Sequence, residues 1–271
     1  MIKKYFKNHL LEISFAVLVI SIIFDSSRNL ANFGILTFNF AVLGTLIIGY
    51  IIYWYHHRSK KIHLNLIFDD DVNEVGMLLN KIITPFLLFF STISYSHFNI
   101  SKTSFGMILL GQFLIFWLYF INVKSFFSNE ENREQSTDVV YDLFKLLIYF
   151  LLIDVLLNLV MQNEISFSVS IFLCFCLHIT LSFLMIFRLK HIKSIYFGYS
   201  MVISCLLCAF YILVTNLLNL NIMLSSFMLL VMFYLLHGLL FRYIYKKLNK
   251  DTLIEFGSIL LLVLTILFFL R

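Results

Sequence analysis

Long, nearly unbroken apolar runs dominate the chain. They fall at residues 10–24, 33–55, 77–95, 105–123, 139–161, 166–187, 195–218, 222–243 and 252–270. Most approach the ~20 residues that a helix needs to cross the hydrocarbon core of a bilayer. In lipid, backbone N–H and C=O groups must be satisfied within the protein, which leaves only helices or a closed barrel. A barrel would show segments of about ten residues that alternate apolar and polar, and these runs do not. The expected fold is therefore all-α, a polytopic transmembrane helical bundle of about nine spans forming a single integral membrane domain over residues 1–271. Composition agrees: at 61% hydrophobic and 13% charged, the chain has too little polar surface to cover a soluble globule. The connections are too short to hold a soluble catalytic domain.

Basic residues set the expected orientation. With the N-terminus in the cytoplasm, fifteen of the twenty Lys and Arg lie on the inner side, in groups around Lys3–Lys7, Arg58–Lys61, Lys124–Arg133, Arg188–Lys193 and Arg242–Lys250. Only Arg28, Lys102 and Arg271 fall outside, and Lys81 and Lys145 lie within helices. Short cytoplasmic loops retain Lys and Arg, so the expectation is a multi-pass protein of the cell (plasma or inner) membrane, N-in and C-out. The net charge of +5 is then a topology signal that calls for no nucleic-acid partner. Basic loops such as Arg58–Lys61 face anionic headgroups, so the lipid bilayer is the expected partner, with a membrane or cytoplasmic protein subunit as a further possibility.

Polar residues inside the runs carry the functional expectations. Asp154 lies roughly two-thirds of the way along the fifth run, counted at ~1.5 Å per residue. A charged Asp near a helix centre costs about 2.5–3.5 kcal/mol to insert, so it must face protein or water. Asn158, four residues on, shares its face, and Gln112 of the fourth helix is expected at similar depth. Asp154, Asn158 and Gln112 form a candidate ion or proton site, or else a structural hydrogen-bond cluster between helices. Pro85 is the chain's single proline and removes the amide that would bond the carbonyl of Lys81, making Lys81–Pro85 a candidate kink or hinge in helix three. Near the cytoplasmic ends, Asp142 and Lys145 can pair at i,i+3, while Lys81 and Glu255 pair across helices or snorkel to headgroups. His237 is deeper than these.

All four cysteines fall in runs six and seven. If these helices form a hairpin turning near residue 191, Cys174 shares a depth with Cys208 and Cys176 with Cys205. Cys174 and Cys176 are about 200° apart around a helix and cannot both face the partner. The feasible soft-metal set is Cys174, His178, Cys205 and Cys208. Against it stands the fact that cysteine is a small hydrophobe at home in an apolar helix, and no cofactor is expected.

Acidic loops suggest a different chemistry. Asp70, Asp71 and Glu74 precede helix three, and Asp138 and Asp142 open helix five on the same membrane face. Such carboxylates could hold Mg²⁺ on a diphosphate, or could simply favour helix N-termini. In its nine helices, cytoplasmic N-terminus and acidic loop after helix two, the chain is similar in topology to the UbiA-type prenyltransferases. It lacks their Asn-Asp-x-x-Asp-x-x-x-Asp motif. Where they carry a second acidic motif it has Arg188, Lys190, His191 and Lys193, so the family is not assigned. Three functions follow as expectations: a permease or permease-like transport subunit with helix-lined polar sites; a membrane-embedded, Mg-dependent lipid or isoprenoid transferase; or a non-catalytic membrane partner or immunity protein. The first leads, because no phosphate loop, nucleophile elbow or metalloprotease motif is present.

Overall fold

A computed structural model describes residues 9–29, 32–57, 74–98, 102–127, 133–187, 193–217, 221–244 and 249–270. Its described residues form nine helices: α1 (Leu10–Arg28), α2 (Phe33–His57), α3 (Glu74–Phe98), α4 (Lys102–Phe127), α5 (Arg133–Met161), α6 (Phe167–Ile186), α7 (Ser194–Leu217), α8 (Ile222–Ile244) and α9 (Lys250–Leu270). Each overlays one of the nine apolar runs. Among the described residues, seven helices are long and apolar enough to cross a membrane. The two outside this set are α3 and α9. In α3 the runs Asn80–Lys81 and Ser91–Thr92, with Thr84, Ser94, Ser96 and His97, dilute the apolar residues.

The fold divides into two compact units, Met1–Ile148 and Tyr149–Arg271, with the boundary inside α5. In the first unit, α1 packs against α4 and also meets α2 and α3. The buried side of helix α3 is mixed: Asn80, Thr84, Ser91, Thr92 and Ser96 are buried beside Leu88, Phe89 and Ile93, while Leu79 and Phe90 are exposed. That arrangement suits a helix whose outer face meets lipid. Its buried hydroxyls bond locally, Thr84 to Asn80 Oδ1 (2.9 Å), Ser91 and Thr92 to the Leu88 carbonyl (2.9 and 2.8 Å) and Ser96 to that of Ile93 (2.7 Å), so few polar atoms are stranded.

In the second unit, α5 passes to α6 through a tight turn. Asn163 takes a left-handed conformation (φ 58°), its N–H bonds the Val160 carbonyl at 3.0 Å, and the Glu164 N–H bonds that of Leu159 at 3.0 Å. This is a Schellman-type helix end, with Asn in the place more often taken by Gly. Three residues later Ser166 caps α6 by accepting the Val169 N–H at 3.4 Å. α6 then packs along α7, α7 against α8, and α8 against α9. Gly238 is needed in the last pair, because a Cβ there would lie 2.7 Å from the buried ring of Phe256.

Candidate functional site

Hydrogen-bonded polar groups run through the second unit at three levels of α5, α6 and α8. At the first level, Asp154 of α5 is 4% exposed and Asn158 is 8% exposed. The Ser226 hydroxyl of α8 donates to Asp154 Oδ1 at 2.9 Å, and Asn158 Nδ2 donates to Oδ2 at 3.1 Å and to the Asp154 carbonyl at 2.9 Å. The carboxylate is thus gripped from its own helix and from a second one. The i,i+4 spacing of Asp154 and Asn158 makes the first contact inevitable in a helix.

The second level lies five residues, or ~7.5 Å, back along α5. There the Tyr149 hydroxyl meets His178 Nε2 of α6 at 2.9 Å. The Tyr149 ring stacks on Phe233 of α8 with centroids 4.2 Å apart, and on His178 at 5.4 Å. Around His178 sit two thiols: Cys208 Sγ of α7 is 3.5 Å from Nδ1, and Cys174 Sγ is 3.7 Å from the same atom.

The third level is His237 of α8, whose Nδ1 lies 2.9 Å from the Phe233 carbonyl and whose Nε2 lies 2.7 Å from the Ser182 hydroxyl of α6. A carbonyl can only accept, so Nδ1 carries the proton; in the neutral ring Nε2 then accepts from Ser182. Asp154, Tyr149, His178 and His237 are all buried, and each can give or take a proton.

The sequence-derived candidates divide accordingly. Asp154 and Asn158 come together. Gln112 belongs to the first unit, where its Oε1 is buried with no hydrogen-bond partner among the described residues. Cys174, His178 and Cys208 converge, with ligand atoms within 4.8 Å of one another, but Cys205 is exposed and outside the cluster. The buried stripe of α7 runs through Ser204, Leu207, Cys208 and Tyr211, and Cys205 sits beside that stripe. An i,i+3 step leaves a ~60° offset, enough to turn Cys205 outward while Cys208 points in. Of the acidic set, Asp70 and Asp71 lie outside the described residues, as do the side chains of Glu74 and Asp138; Asp142 is half-buried. The basic group Arg58–Lys61 also lies outside them. Glu255 is exposed and bridges to Arg242 at 3.0 Å.

Helix α3 continues through Pro85, and the carbonyl that the proline deprives of its amide has another donor. The Tyr119 hydroxyl of α4 bonds the Lys81 carbonyl at 2.8 Å. The Lys81 side chain is buried, with Nζ 4.7 Å from the centre of the Tyr141 ring. Lys145 is fully buried too, so neither lysine has the exposed charged head expected of a snorkelling residue.

Sequence reasoning also missed an ion pair. Glu12 of α1, fully buried, lies 3.0 Å from Lys124 Nζ at the end of α4, and the Tyr50 hydroxyl of α2 sits 3.4 Å from the same carboxylate oxygen. Tyr50 donates to the Phe120 carbonyl at 2.9 Å, and Lys124 lies 5.3 Å from the centre of the Trp54 ring. The available signal was Glu12 itself, since an acid inside an apolar run demands a cation. Lys124 went unmatched because it was counted as a loop residue, whereas α4 extends to Phe127.

Fold and buried polar groups define a helical, apolar-rich bundle whose seven long apolar helices fit a multi-pass membrane protein. Residues 25–270 match the model of the family described as "Protein of unknown function (DUF5656)", and the chain belongs to that family. No curated protein and no solved structure matches it.

Proposed function

We propose that the protein is a permease-like transport subunit of the cell membrane, with its N-terminus in the cytoplasm, and that Asp154 binds the transported or coupling ion, a proton being the simplest case. The observation that carries this reading is the run of buried groups Asp154–Ser226, Tyr149–His178 and His237–Ser182 through the second unit. Ionisable residues inside spans are expensive, and chains of Asp, Glu and His mark ion and proton pathways in pumps and transporters. The fifteen basic residues expected on one face support the orientation. A transferase would instead rest on Asp70, Asp71, Glu74, Asp138 and Asp142, of which only the Asp142 side chain lies among the described residues.

The test is complementation of a deletion strain with wild type and with Asp154→Asn, followed by uptake and efflux assays over a panel of ions and small solutes. Transport predicts at least one solute whose flux wild type restores and Asp154→Asn reduces tenfold or more at equal expression. Equal flux for the two proteins across the panel would refute the assigned role.

A further inference from the structure

The group Cys174, His178 and Cys208 is more than a feasible spacing, because its sulfur–nitrogen separations lie close to those of a coordination sphere. Zn–S and Zn–N bonds of about 2.3 and 2.0 Å, joined at a tetrahedral angle, put sulfur and nitrogen about 3.5 Å apart. The observed separations from His178 Nδ1 are 3.5 Å to Cys208 Sγ and 3.7 Å to Cys174 Sγ, which also lies 3.8 Å from Nε2, so the Cys174 side chain or the ring must turn slightly as the metal enters. We infer that these three side chains form a zinc site between α6 and α7, with His178 ligating through Nδ1 and the two cysteines as thiolates.

Three features of the surroundings agree. All three residues are buried, so the ligands are already held in place by packing. Two thiolates and one Zn²⁺ sum to zero, which an apolar interior tolerates; a monovalent soft cation would leave a net negative charge there. The free nitrogen of a zinc-bound histidine usually donates to an oriented acceptor, and His178 Nε2 has the Tyr149 oxygen at 2.9 Å. With Nδ1 on the metal, Nε2 carries the proton and Tyr149 accepts it, fixing the ring. Each cysteine loses its proton to solvent or buffer as zinc enters, so binding releases two protons and involves no electron transfer. Among the described residues no fourth Cys, His, Asp or Glu joins the group, so one tetrahedral position is left to water or a small ligand.

The exposed cysteines Cys176 and Cys205 supply an internal control. Full-length protein purified in detergent would be loaded with Zn²⁺ or Co²⁺, desalted, and examined by elemental analysis and by visible absorption. The site predicts about one zinc per chain and, with cobalt, tetrahedral d–d bands together with a sulfur-to-cobalt charge-transfer band. Cys205→Ser and Cys176→Ser should keep both signals. Cys208→Ser and His178→Ala should lose them, and Tyr149→Phe should weaken metal affinity about tenfold. Wild type without the thiolate charge-transfer band overturns the site, and so does Cys208→Ser with an unchanged cobalt spectrum. Should Cys208→Ser fail to yield monodisperse protein, the wild-type, Cys205→Ser and Tyr149→Phe measurements still decide.

Discussion

The two units bury polar groups for different ends. In the first, two of the buried groups neutralise or repair something: Lys124 neutralises Glu12, and Tyr119 replaces the amide that Pro85 removes from the Lys81 carbonyl. At the far end of α1, Asn39 bonds Asp25 at 2.8 Å and Ser26 at 2.9 Å, tying α2 to the end of its neighbour. In the second unit the groups instead follow one another along α5, α6 and α8, joined by hydrogen bonds among hydroxyls, an amide, a carboxyl group and imidazoles. Burial alone therefore does not mark a working residue. What separates the units is what lies against the buried acid: the Lys124 ammonium beside Glu12, and the Ser226 hydroxyl and Asn158 amide on Asp154.

The sharpest way to break the comparison is to remove the counter-charge. Lys124→Met strands the Glu12 carboxylate, and losing one partner of a buried pair costs about 3–5 kcal/mol. A drop in thermal stability of the detergent-solubilised protein should follow, and Glu12→Gln combined with Lys124→Met should recover most of it. A Lys124→Met protein that melts with wild type would mean that Lys124 does not neutralise Glu12.

A smaller effect is expected where the first unit mends its helix. Tyr119→Phe removes the donor to the Lys81 carbonyl and leaves a buried acceptor unsatisfied, worth about 1–3 kcal/mol. Placing Ala at position 85 restores an amide one turn below, so the same Tyr119→Phe change in a Pro85→Ala background should cost clearly less. Additive melting shifts for the two changes would contradict the repair.

The smallest stability effect belongs to the second unit. Ser226→Ala deletes the interhelical donor to Asp154, and such bonds within membranes average only about 0.6 kcal/mol. Melting should move little, while any flux that depends on Asp154 should fall severalfold. A large stability loss with unaltered flux would assign the Ser226–Asp154 contact to structure.

Much of the fold was legible because apolar run length reports helices directly: the run at 222–243 and the helix Ile222–Ile244 differ by one residue. Interhelical partners were less legible. Asp154 and Asn158 are set by one helix's own geometry and could be paired from spacing. Ser226, His237 and Ser182 required knowing which faces of α6 and α8 meet, and serine is too common in spans to stand out. Cys174 and Cys208 were matched in depth by the hairpin, but choosing Cys208 over Cys205 depended on a rotation of some 60° that spacing leaves open. Glu12 showed from the sequence that a partner was needed, and only the true length of α4 showed which one.

The most direct measurement is reaction of the membrane-embedded protein with dicyclohexylcarbodiimide, an apolar reagent that adds to carboxyl groups that take up protons within a bilayer, followed by peptide mass spectrometry. The account predicts an adduct on Asp154, absent in Asp154→Asn, and none on Glu12 while Lys124 is present. Modification of Glu12 with Asp154 untouched would contradict it, because the working carboxyl would then lie in the first unit.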